Sequence, residues 1–102
     1  MIGLELTGRR RRRLMAAAHG LRPLVQVGKA GVTDGLIGAL DAALSDHELV
    51  KVRFIGHKDE RAELSAAMAE RTRSHLVSII GNTAVLYRES PDPAKRRISP
   101  GA

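Results

Sequence analysis

Three short apolar stretches in this chain each run into a glycine: PLVQVGKAG from Pro23, VKVRFIGHKD from Val50 and LVSIIGNT from Leu76. In the second, Val50, Val52 and Phe54 alternate with Lys51 and Arg53, the period of a half-buried strand with a basic outer face. In the first, Val25 and Val27 face one way within a strand Leu24–Val27. After each of the first two glycine loops the spacing changes to that of a helix. Strand, loop, helix, strand describes a parallel sheet, and its crossovers are right-handed almost without exception. Parallel strands end on one rim, so the loops beginning at Gly28, Gly56 and Gly81 are expected side by side. Ligands of open α/β sheets usually bind at that rim.

The remaining elements follow from local signals. Thr7 caps a first helix that runs to about Gly20, with Pro23 preventing its restart. Leu14, Ala17, Ala18 and Leu21 share one side of it, and Arg9, Arg12 and Arg13 the other. Thr33 caps a second helix with Leu36, Leu40, Ala43 and Leu44 as its apolar stripe and Ile37 beside them. Asp59 is the expected cap of a third helix, which buries Leu64, Ala67 and Met68. Leu76–Ile80 is a strand, Gly81-Asn82 a turn, and Ala84–Arg88 a returning strand. From Glu89 onward the chain reads ESPDPAKRRISPGA, a Pro-rich polar stretch expected to be a disordered tail. The fold class is thus α/β, in the order α-β-α-β-α-β-β. It is expected to be a two-layer sandwich with helices on one face of the sheet, the other face being partly open and carrying Lys51 and Arg53.

At 102 residues the chain suits one domain. Lys and Arg number 17 against 11 Asp and Glu, a net charge of +6, and five of the cations are consecutive, Arg9 to Arg13. A small domain with clustered positive charge points to a polyanion, nucleic acid before membrane. There is no cysteine, so disulfides, thiol catalysis and zinc knuckles are excluded. The N-terminus lacks the apolar run of a secretory signal, and no stretch is long enough to span a bilayer. A cytoplasmic location is expected.

The glycine rim gathers the chemistry. Gly28 and Gly31 let the backbone turn tightly and approach a ligand without Cβ interference. The amides entering the second helix are positively polarised and suited to phosphate. The first helix, about fourteen residues and roughly 20 Å long, is expected to fold back so that its N-terminal arginines approach the same rim. There they would join Lys29 and Lys58 in one cationic patch. A GXXG loop that clamps a nucleic-acid backbone works by this physics, although such a loop alone is equally consistent with a structural turn.

LTGRRRRRLMAAAHGLRPLVQVGKAGVT, HELVKVRF and IGNTAVLYR, with their spacing, resemble the YhbY family. This is the bacterial stand-alone form of the CRM domain (chloroplast RNA splicing and ribosome maturation). The resemblance spans Leu6 to Arg88. The family pattern often has Lys-Gln-Arg where this chain has Arg9-Arg10-Arg11. The resemblance implies a fold similar to the C-terminal domain of translation initiation factor three, a four-stranded mixed sheet whose last strand is inserted antiparallel between the second and third. It also implies an RNA-binding protein, one that binds ribosomal RNA or precursors of the large ribosomal subunit and assists its assembly. The family's GKxG contact carries over to Gly28, Lys29, Ala30 and Gly31. The RNA-binding residues expected are then Arg9, Arg10, Arg12, Arg13, Gly28, Lys29, Ala30, Gly31, Lys58 and Asn82, in a protein acting as a monomer without cofactor.

Rival readings fit less well. A Walker loop needs G-x-x-x-x-G-K-[ST], but Ala30 follows Gly28-Lys29 and Pro23 stands at the first glycine position. His19, His47, His57 and His75 are scattered with no supporting cysteine, so no metal and no catalytic residue is assigned. A basic adaptor or membrane-surface module is the main alternative. However, the apolar side of the arginine helix is needed for the core, and no bulky aromatic anchor accompanies it. Aromatic residues make up 2% of the chain. With Phe54 expected in the core and Tyr87 the one remaining ring, binding is expected to rest on phosphate and sugar contacts rather than base stacking. Lys51 and Arg53 are expected to count for less than the glycine rim.

Overall fold

The computed structural model describes residues 6–96. Its elements are α1 (Gly8–Ala18), β1 (Val25–Val27), α2 (Asp34–His47), β2 (Leu49–Phe54), α3 (Arg61–Thr72), β3 (His75–Ile80), β4 (Thr83–Tyr87) and a 3-10 turn Pro93–Lys95. Thr7 and Thr33 cap α1 and α2 as expected: their hydroxyls accept from Arg10 N at 3.2 Å and Leu36 N at 3.1 Å. Asp59 is not the cap of α3. The turn closed by Glu60 N donating to the His57 carbonyl at 3.0 Å places Asp59 one residue short. Glu60 takes the cap position with no side-chain bond.

The sheet order is β1-β2-β4-β3. β1 and β2 are parallel, and β4 is antiparallel to both β2 and β3. This is the mixed sheet the resemblance implies. Val25, Val27, Val50, Val52, Phe54, Ala84 and Leu86 form one sheet face and pack against Leu40, Leu44, Met68 and Ala69 of α2 and α3. These two helices share a face, as the handedness rule requires for crossovers progressing in one direction.

α1 corrects the expectation that all helices lie on one face. Its Leu14 and Ala18 pack with Leu49, Val77, Val85 and Tyr87, which point to the opposite side of the sheet. The crossover rule does not govern a helix that precedes the first strand, and one end of the second face, Leu49, Val77, Val85 and Tyr87, is apolar and needs cover. α1 covers that face only in part. Ala17 and Leu21, expected in the core, are exposed: the buried side of the helix is narrowed to Leu14 and Ala18, and Leu21 lies past the helix end, its amide bonded back to the Ala18 carbonyl at 3.0 Å.

The expected tail is bonded to the domain at its start. Ser90 is buried and its amide donates to Glu48 Oε2 at 2.5 Å, while Arg96 Nε donates to the Ser90 carbonyl at 2.9 Å. Residues 97–102 of that segment lie outside the described residues.

Candidate nucleic-acid interface

The loops after β1, β2 and β3 meet on one rim and are tied by side chains. His57 Nε2 donates to the Gly28 carbonyl at 2.8 Å, joining the second loop to the first. The Arg61 guanidinium donates to the Gly56 carbonyl at 3.2 and 3.3 Å and to the Gly81 carbonyl at 3.0 Å, joining the second loop to the third. Phe54 N donates to the Asn82 carbonyl at 2.7 Å and Ile55 N to the Val27 carbonyl at 2.9 Å. His57 sits at φ +55°, a left-handed conformation that costs a residue with a Cβ roughly 1–2 kcal/mol, and its bond to Gly28 helps offset that. Neither His57 nor Arg61 was singled out from the sequence as a rim residue. The carbonyls by which they reach the other loops, Gly28 for His57 and Gly81 for Arg61, are distant along the chain and leave no local pattern.

Within GKAG, Gly31 N closes a turn onto the Gly28 carbonyl at 3.0 Å, and Gly31 has φ +76°. Lys29 and Ala30 stand at the tip, exposed. Neither their amides nor the Lys29 ammonium has a partner among the described residues. The rim therefore offers two backbone donors and one cation, with Lys58 and Asn82 also exposed on it. The start of α2 is less open to an anion than expected. Thr33 already serves one amide, and Asp34 places a carboxylate in the first turn, 2.6 Å from Arg71. The anion chemistry of the rim thus rests on the loop tip rather than on the helix terminus.

The arginine run does not join this rim. Arg11 NH1 donates to the Leu76 carbonyl at 3.1 Å and to the Val77 carbonyl, at the start of β3 and beside its bulge. The same guanidinium contributes, after burial, to holding the His75 imidazole below its usual range. β3 from His75 to Gly81 covers roughly 20 Å at about 3.3 Å per residue, and the sheet from β1 to β3 roughly 14 Å. The arginine end of α1 and the GKAG loop thus occupy diagonal corners of the sheet. Arg9, Arg12 and Arg13 are exposed with no partner among the described residues, and Arg10 is half-buried. Five arginines with no acid in the first turn oppose the helix dipole. The fold draws on Arg11 for the β3 carbonyls and has no such use for Arg9, Arg12 and Arg13.

Phe54 and Tyr87 are both buried, on opposite sides of the sheet. No Phe or Tyr ring is therefore exposed for stacking among the described residues. The Tyr87 hydroxyl has no partner there, and burial first, then the Glu48 and Glu89 carboxylates, push its pKa up to about 12. No group of three or more His, Asp or Glu side chains among the described residues is placed to hold a metal ion. None of the described helices is long and apolar enough to cross a membrane.

The family model of the CRS1/YhbY (CRM) domain matches residues 6–88. The chain belongs to this family. This CRM domain is similar to the probable RNA-binding protein YqeI of Bacillus subtilis, with 42% identity covering 85% of this chain and 92% of that protein. It is likewise similar to the probable RNA-binding protein PA4753 of Pseudomonas aeruginosa, with 36% identity over 90% of this chain and 89% of that one. The solution structure of the hypothetical protein SAV1595 from Staphylococcus aureus superposes with a TM-score of 0.79 at 36% identity. The match covers 93% of the CRM domain's chain and all of the other. The three helices and mixed four-stranded sheet are thus shared with an experimentally solved relative.

Proposed function

We propose that this CRM domain binds RNA, and that its target is ribosomal RNA or a precursor of the large ribosomal subunit, whose assembly it assists. The observation that carries the reading is the GKAG tip. It presents two amides and an ammonium that have no partner among the described residues, on a rim braced by His57 and Arg61, in a chain of net charge +6. The naming of its relatives as probable RNA-binding proteins supports the same reading. With Phe54 and Tyr87 both buried, the contact is made to phosphate and sugar, and RNA shape gives selectivity. The arginines of α1 form a second anchor at the far corner, so the bound RNA reaches across the molecule. This is a binding domain and not an enzyme.

The test has two parts. A gel shift with ribosomal RNA fragments should show binding that weakens steeply with salt, by about 0.9 in log–log slope for each duplex phosphate and roughly 0.7 on a single strand. Crosslinking in cells followed by sequencing of the attached RNA should recover large-subunit rRNA. A flat salt dependence would remove the phosphate mechanism. Recovery of unrelated RNAs would remove the ribosomal target.

A further inference from the structure

The sheet face that α1 leaves uncovered has a definite composition. The strand registers Gln26↔Arg53, Arg53↔Thr83 and Ile80↔Thr83 place Gln26, Arg53, Thr83 and Ile80 in one row across all four strands. They face the same side as α1, just beneath the glycine rim. Two adjoining hollows of about 420 and 320 Å³ lie over this region, sharing Pro23. Their cationic and titratable lining is His19, Arg22, Lys51 and Arg53, and no acidic residue lines either.

Lys51 and Arg53, equivalent in the sequence, differ here. Lys51 Nζ is held by the Leu21 carbonyl at 3.1 Å. Arg53 and Arg22 are exposed and have no partner among the described residues. Exposed aliphatic side chains share the floor with Gln26 and Thr83: Leu24 is 54% exposed and Ile80 is 59% exposed. Unpaired cations over exposed aliphatic side chains suit a ligand that is both anionic and apolar. Duplex RNA offers phosphates and 2′-hydroxyls at its surface, with its base faces stacked away. An unpaired strand offers phosphates together with bases whose faces can lie on aliphatic carbon. The groove also lies between the GKAG corner and the arginine corner, on the path of an RNA touching both.

We propose that this groove is a further RNA contact, taking a single-stranded segment that crosses the uncovered end of the sheet from the GKAG loop. The inference rests on the RNA-binding reading above. It gives Arg22 and Arg53 a direct role, contrary to the lesser weight expected for Arg53 from sequence.

The test compares Arg22→Ala/Arg53→Ala with the parent on a polyuridylate strand and on a blunt RNA duplex of matched length. Because neither side chain is bonded among the described residues, both proteins should melt alike. The variant should bind polyuridylate roughly tenfold more weakly, with a salt slope lower by about 0.7 per lost contact. Its affinity for the duplex should stay within about twofold. Ile80→Ser should weaken polyuridylate binding while leaving the salt slope unchanged. Equal losses on both probes would reduce the arginines to general charge and overturn the inference. So would no loss on either. If the RNA-free parent dimerises in light scattering and the variant does not, with polyuridylate affinity equal, the groove belongs to a second copy and the inference falls. A parent that binds neither probe would instead overturn the RNA reading itself.

Discussion

Gly28→Ala and Gly31→Ala separate what the fold needs from what a ligand needs. The two glycines bracket the same turn, and an added Cβ at either meets nothing within 4 Å. They differ in backbone. Gly31 has φ +76°, so alanine there carries the left-handed penalty of roughly 1–2 kcal/mol. Gly28 is outside that region, so alanine costs the folded state nothing. It even removes freedom from the unfolded chain, a gain of about 0.4–1 kcal/mol. In a domain of this size 1 kcal/mol moves Tm by roughly 4–8 °C. Gly31→Ala should therefore melt several degrees below the parent, and Gly28→Ala at or slightly above it. RNA affinity should fall for Gly28→Ala despite its intact fold, because the methyl group holds a phosphate away from the neighbouring amides. Thermal melts beside gel shifts decide this. If Gly28→Ala melts as low as Gly31→Ala, the conformational argument is wrong. If it melts and binds like the parent, the GKAG backbone is a turn and not a contact.

Other outcomes follow from the same geometry. Lys29→Ala should keep the parent Tm and lower the salt slope of RNA binding by about one unit, read from a salt titration. Arg11→Ala should destabilise by about 1 kcal/mol, since the β3 carbonyls lose a charged donor, whereas Arg12→Ala should stay within about 0.5 kcal/mol; chemical denaturation separates them. Tyr87 is the chain's one tyrosine and there is no tryptophan, so phenolate absorbance reports it alone. Its folded pKa, raised to about 12 from the ordinary tyrosine value of 10.0, means that the unfolded chain loses this proton first. Stability should therefore fall as pH rises from 10.0 toward 12, and Tyr87→Phe should flatten that fall in pH-dependent melts.

The parallel core and the common rim could be read from the sequence because they depend on period and punctuation. Val50, Val52 and Phe54 alternate, and Gly28, Gly56 and Gly81 end their strands. The position of α1 could not be read in this way. Its stripe of Leu14 and Ala18 requires an apolar surface but does not say which face of the sheet supplies it. Nor does it say which way the helix runs over that face, and its direction, with Arg11 at the start of β3 and His19 beside Ile80, puts Arg9, Arg12 and Arg13 at the far corner. Leu21 continues the helical spacing past the point where the helix stops, so its burial was expected and is absent. The braces His57 and Arg61 are polar residues whose partners are carbonyls 29 and 20 positions away, a relation carried by the sheet and not by any local spacing.

The strand order has a consequence for how this protein comes into being. β4 is the last strand to be synthesised, yet it lies inside the sheet, and β3 has no other neighbour in it. A nascent chain that has completed β3 holds a parallel pair and a strand with no sheet partner, and it lacks the β4 ladder that sets the third glycine loop beside the other two. Closure of the sheet and assembly of the rim are therefore one late event, and long-range pairing of this kind is intrinsically slow. The rim on which we place the RNA contact is complete only once Tyr87 is in place, and a polypeptide that stops short of it lacks the proposed site.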